Sequence, residues 1–140
     1  MCYSCEERGE NSEMYLGNKD LEWFVTFTCN FCNGSNATLG HLAKGLHALC
    51  GFSTSVILTS NMGTAMCNKL KKGISVKEAF FATAQETQPW YDGYVTRRAA
   101  NVFTTKNCEN DRIWGYGSVA NDPKPYSEDS SKYINCKYLI

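Results

Sequence analysis

The sequence predicts an α/β fold, with helices packed on the faces of a mostly parallel sheet. Three observations predict it. Short runs rich in aromatic and β-branched residues read as strands, and they alternate with runs whose apolar residues recur at helical spacing. The order strand, helix, strand, helix, helix, strand is the pattern of a sheet covered by helices. The chain has 140 residues, of which 43% are apolar and 20% charged, enough for one globular domain with its own core. The expected layout is an acidic arm over residues 1–20 and a single α/β domain over 21–140.

Residues 1–20 are polar and weakly patterned, with a short strand expected at 14–16. Residues 21–29 (Leu-Glu-Trp-Phe-Val-Thr-Phe-Thr-Cys) read as a buried strand that ends at Cys29. A Gly-, Ser- and Asn-bearing loop follows over 30–36. A helix is expected next, with Thr38 as N-cap, Leu39, Leu42, Leu46 and Leu49 on one face, and Gly51 just past its end. Residues 52–59, which hold Val56, Ile57 and Leu58, read as a second strand, giving a right-handed parallel β–α–β crossover over 21–59. A helix over 61–72 points Met62, Ala65, Met66 and Leu70 inward and stops at Gly73. Ser75 and Glu78 have capping-box spacing and start a third helix, with Val76, Ala79, Phe80 and Ala84 on its apolar face. Gln88-Pro89 ends it. The aromatic stretch over 90–94 fits a packed loop or a subunit contact. A strand is expected over 97–105, a Gly-interrupted strand or ordered loop over 112–119, and a closing strand over 133–140.

Charge and targeting exclude several classes. Lys plus Arg and Asp plus Glu each number 14, so the net charge is zero and the electrostatic footprint of a nucleic-acid binder is missing. The charge is uneven, at −4 over residues 1–25 and +4 over the rest, which fits a solvated acidic arm. No apolar run reaches the roughly 18–20 residues of a membrane span. No secretory signal is visible at Met1, which favours a cytoplasmic protein. No motif implies a cofactor.

Eight cysteines are the outlying feature. Cys2 and Cys5, and Cys29 and Cys32, each have C-x-x-C spacing, the pattern of a zinc-stabilised module. The 23 residues between the pairs exceed the compact ribbon spacing of about 15–20. A dithiol oxidoreductase would begin a helix directly at Cys32, where polar loop residues stand instead. Cys50 and Cys67 fall on or near apolar helix faces and are expected to pack in the core, while Cys108 and Cys136 have no assigned role. Cys29 differs from the rest. It sits at the C-terminal end of the best strand, where α/β sheets place reactive groups. It is the candidate nucleophile, with Asn30 beside it in the loop. A thiol needs a base, and the chain's two imidazoles are His41 and His47, six residues apart and about 120° apart around a helix. His47 is the candidate base.

Residues 23–84 resemble the second half of the caspase-like (clan CD) cysteine peptidase fold. The pieces that carry the resemblance are Phe24-Val25-Thr26-Phe27-Thr28-Cys29, then Gly51-Phe52 with Val56-Ile57-Leu58, then Lys72-Gly73-Ile74-Ser75-Val76-Lys77-Glu78-Ala79. Residues 45–52, 73–79, 114–119 and 122–123 also look like an uncharacterised prokaryotic domain family of this general shape. The resemblance implies a caspase-like half-fold and a cysteine hydrolase with Cys29 as nucleophile. Those peptidases carry their base His upstream of the Cys, whereas His41 and His47 both follow Cys29. A non-catalytic binding or assembly module of the same fold is the alternative, beside the zinc module of Cys2, Cys5, Cys29 and Cys32. A truncated sheet has open edges, so a homo-dimer is expected. A peptide or small molecule is the remaining ligand class.

Overall fold

A computed structural model describes Leu16 and residues 20–89, 98–123 and 132–140. Most of the acidic arm, the strand expected at 14–16 apart from Leu16, Cys2, Cys5, the 90–94 stretch and Arg97 lie outside the described residues. The elements are β1 (Trp23–Val25), α1 (Asn36–Ala43), β2 (Ala48–Phe52), α2 (Met62–Leu70), α3 (Val76–Thr87), β3 (Ala99–Thr105) and β4 (Tyr133–Leu139). The four strands form one sheet in the order β1-β2-β3-β4. β1 and β2 are parallel, while β2 with β3 and β3 with β4 are antiparallel. The fold is therefore α/β as expected, but the sheet is mixed rather than mostly parallel. Only the connection through α1 returns the chain to the same end of the sheet; the later strands reverse direction.

Side chains alternate across the sheet and build two cores. Ala48, Cys50 and Phe52 of β2, with Ala100 and Val102 of β3, face α2 and α3. Leu49 and Phe103 face the other way, toward Leu39 and Leu42 of α1, with Leu46 and Tyr133 in the same cluster. Phe80 of α3 anchors the first core, with ring centroids 5.4 Å from Phe52 and 5.8 Å from Phe27. Among the described residues no helix is long and apolar enough to cross a membrane.

Local chemistry explains the helix starts. The Ser35 hydroxyl accepts the Thr38 N–H at 3.1 Å, so Ser35 rather than Thr38 caps α1. The Ser75 hydroxyl accepts the Glu78 N–H at 3.3 Å, as its spacing predicts.

The segment 44–59 departs from expectation. The helix expected to reach Leu49 ends at Ala43, because Gly45 takes φ 90, a left-handed conformation that a glycine adopts readily. The Tyr133 hydroxyl accepts the Gly45 N–H at 2.8 Å and donates to the Leu46 carbonyl at 2.9 Å, which fixes the turn from helix to strand. Leu46 and Leu49 still join Leu39 and Leu42 in one cluster, since β2 lies against α1. The leucine spacing thus marked the correct buried face on the wrong backbone. The strand expected at 52–59 is an extended loop after β2. Its Val56 backbone is held by the Cys29 sulfur, and its Ile57 backbone by both side-chain atoms of the Gln88 amide at 2.8 Å each. Cys67, expected in the core, is exposed, because Met62 and Met66 form the buried face of α2 and Cys67 lies one residue further round.

Gly51 sits where the segment 26–32 crosses β2. A Cβ there would lie 2.8 Å from the Cys32 sulfur and 3.1 Å from the Phe31 ring. Gly51→Ala is expected to destabilise the protein by about 1–3 kcal/mol through overpacking, read as a lower urea midpoint at unchanged slope.

Candidate functional site

The three residues singled out from the sequence do not converge. Cys29 is half-buried against the α2/α3 core, and its sulfur accepts the Val56 N–H at 3.4 Å and donates to the Val56 carbonyl at 3.5 Å. Asn30, beside it, is exposed and has φ 56, a left-handed turn that Asn tolerates. Its N–H donates to the Thr54 carbonyl at 3.0 Å. His47 lies at the opposite end of β2, directly before Ala48. The five residues of β2 separate the two ends by about 16 Å. Cys29 and Cys32 also part company. Cys29 packs on the α2/α3 face, while Cys32 is buried in the α1 cluster. Burial pushes the Cys32 thiol up to about 12. Cys50, fully buried, is likewise pushed up by desolvation.

The partner of His47 is a different thiol. β3 runs antiparallel to β2, so the end of β3 lies beside the start of β2. The chain then makes two tight turns. The Cys108 N–H donates to the Thr105 carbonyl, and the Asp111 N–H donates to the Cys108 carbonyl, each at 3.1 Å. These turns bring Cys108 and Asp111 against the imidazole. His47 Nδ1 is 2.5 Å from Asp111 Oδ2, and Nε2 is 3.1 Å from Asp122 Oδ1. The ligand atoms of His47, Cys108 and Asp111 all lie within 4.8 Å of one another, and all three residues are buried. Asp122 is 79% exposed and closes the cluster from the solvent side.

Backbone contacts hold the cluster in place. The His47 N–H donates to the Glu22 carbonyl at 2.7 Å, and the Thr104 hydroxyl donates to the His47 carbonyl at 2.7 Å. The Trp23 ring meets the imidazole edge-on at 5.7 Å. Asp111 Oδ1 accepts the Ala120 N–H at 2.8 Å, and the Asp111 carbonyl accepts the Val76 N–H at 2.8 Å, tying the loop to the start of α3. Burial alone would keep His47 neutral. Hydrogen bonding to Cys108, Asp111 and Asp122 outweighs it and raises the pKa to about 9. At neutral pH the ring is therefore an imidazolium that donates from both nitrogens.

In a thiol relay, the thiol sits on one ring nitrogen and the orienting carboxylate on the other. Here each nitrogen faces a carboxylate, and the Cys108 sulfur lies within 4.8 Å of both an imidazole nitrogen and an Asp111 oxygen. Convergence of a soft sulfur, an imidazole nitrogen and a carboxylate oxygen is an arrangement that can hold a divalent metal. Cys108, Asp111 and Asp122 were not singled out from the sequence. The available signal was Cys108 and Asp111 at x-x spacing just past a predicted strand, with Asp122 before Pro123.

Fold and cluster together define an α/β domain with a mixed four-stranded sheet and a buried histidine–thiol–carboxylate cluster at one sheet end. The chain belongs to a family described as a domain of unknown function (DUF6345), which matches residues 4–136. No curated protein and no solved structure matches the chain.

The His47 charge has a pH consequence. Its pKa is raised to about 9 in the fold and is about 6.5 when unfolded. The folded state therefore binds the proton more tightly. The resulting stability is fully present below about pH 6.5 and is lost as pH rises through about 9. With chelator present, the urea midpoint is expected to fall between about pH 6 and about pH 8. His47→Gln is expected to flatten that slope, and a flat wild-type profile would mean a neutral folded imidazole.

Proposed function

We propose that this protein is a non-catalytic assembly module that associates with a second copy through an aromatic loop. One observation carries the reading: Trp114 is 62% exposed and Tyr116 45% exposed on a loop whose backbone is pinned. The Arg112 N–H donates to the Ser118 carbonyl at 3.1 Å, and the Tyr116 N–H to the Ile113 carbonyl at 3.0 Å. The Arg112 Nε donates to the Gly73 carbonyl at 2.7 Å. A Cβ on Gly117 would meet Arg112 Cβ at 2.9 Å, so the loop closes tightly on that side chain. Large aromatics held rigidly in water lose little further entropy on binding and are the usual anchors of interfaces. Zero net charge leaves no long-range repulsion between copies.

A second reading is a cysteine hydrolase with a caspase-like half-fold and Cys29 as nucleophile. It is supported by the position of Cys29 on the C-terminal side of β1, four residues past the strand, at the end of the sheet where its parallel neighbour β2 also ends. The distance from His47 and the bonds from the Cys29 sulfur to Val56 weigh against it.

Sedimentation over a concentration series tests the first reading. The wild type is expected to dimerise, and Trp114→Ala with Tyr116→Ala to remain monomeric with an unchanged circular dichroism spectrum. A wild type that stays monomeric to its solubility limit would overturn it. Iodoacetamide labelling below pH 7 separates the second reading. A Cys29 held by backbone bonds is expected to react no faster than exposed Cys67, whereas an activated nucleophile would react first.

A further inference from the structure

We infer that His47, Cys108 and Asp111 form a binding site for a zinc-class divalent metal ion, with Asp122 orienting the histidine. The donor set comes first. Sulfur, imidazole nitrogen and carboxylate oxygen within one 4.8 Å cluster suit zinc, whereas magnesium and calcium take oxygen alone. The supporting shell comes second. Asp111 Oδ1 is held by the Ala120 N–H, which leaves Oδ2 directed at the cluster. His47 Nε2 is held by Asp122, which leaves Nδ1 facing Asp111 Oδ2. A metal-bound histidine characteristically donates its other N–H to a carboxylate, and Asp122 occupies that position.

The closest pair of donors has to open for an ion to enter. Two ligands with bonds of about 2.0–2.1 Å in a tetrahedral site are about 3.3 Å apart. His47 Nδ1 and Asp111 Oδ2, now 2.5 Å apart, would separate by less than about 1 Å as the ion displaces the Nδ1 proton to solvent. The Cys108 thiol gives its proton to solvent and binds as thiolate. The three protein donors leave the fourth position to water or to a further ligand. The ion would lie at the root of the aromatic loop, joining 108–122 to the start of β2.

The site differs from the one that the two C-x-x-C pairs would form, and the test separates them. The full-length, untagged and reduced protein is titrated with cobalt(II), then with zinc(II). One equivalent of cobalt is expected to give tetrahedral ligand-field bands and a thiolate charge-transfer band, both removed by zinc. Cys108→Ala is expected to lose the charge-transfer band. The variant with Cys2, Cys5, Cys29 and Cys32 all changed to Ala is expected to keep it. Asp122→Asn, at an exposed position, is expected to weaken cobalt binding about 10–100-fold. Because Cys108→Ala can fail to fold, alkylation of the wild type gives a second readout. Zinc is expected to protect Cys108 and leave the rate at Cys29 unchanged. Absence of stoichiometric binding, a charge-transfer band that survives in Cys108→Ala, zinc protection confined to the C-x-x-C thiols, or unchanged affinity in Asp122→Asn would each overturn the assignment.

Discussion

All five residues of β2 are buried, and the rest of the structure is arranged around that fact. A strand covered on both faces cannot leave its N–H and C=O groups to water, so each needs a partner in the protein. β1 supplies partners along one edge and β3 along the other. The same demand extends past the strand ends. The Tyr133 hydroxyl satisfies Gly45 and Leu46, and the Glu22 carbonyl and Thr104 hydroxyl satisfy His47. Helix α1 has to stop before β2 can start, and Gly45 provides the stop. Two apolar cores then form on opposite faces, because alternate residues of one strand point in opposite directions.

The burial of β2 also decides where chemistry can lie. His47 is delivered to the start of the strand with its main chain tied on both sides, so its ring has little freedom. A ring fully removed from water needs partners for its nitrogens, and the loop after β3 carries them. The turns that bring Cys108 and Asp111 to the imidazole also set the base of the loop that displays Trp114 and Tyr116. A stiff aromatic surface and a buried polar cluster are therefore two ends of one segment. Cys29, at the other end of β2, has its sulfur occupied by main-chain groups that a missing ladder would otherwise leave unpaired.

Several elements were legible because their signals are local. Ser75 and Glu78 mark the start of α3 through a cap that spans three residues, and Val76, Ala79, Phe80 and Ala84 mark its buried face. Met62 and Met66 mark the inner face of α2 in the same way. β3 and β4 were expected within a residue or two of their observed bounds. β2 was not legible. A strand buried on both faces has no alternation to read, and its leucines happen to continue the helical spacing of α1. Of the cluster, only His47 is singled out by the sequence, and the thiol beside it is Cys108 rather than Cys29.

By itself the sequence determined the α/β class, the cap of α3, the apolar faces and the neutral charge. These follow from interactions within a few residues or from composition. Tertiary structure alone decided the direction of the strands, the stop at Gly45 and which of the cysteines meets an imidazole. Cys108 and His47 are 61 positions apart in the chain and become neighbours only because β3 runs antiparallel to β2. Strand direction depends on how the two cores close. That is a property of the whole chain's packing, and no short window of sequence contains it.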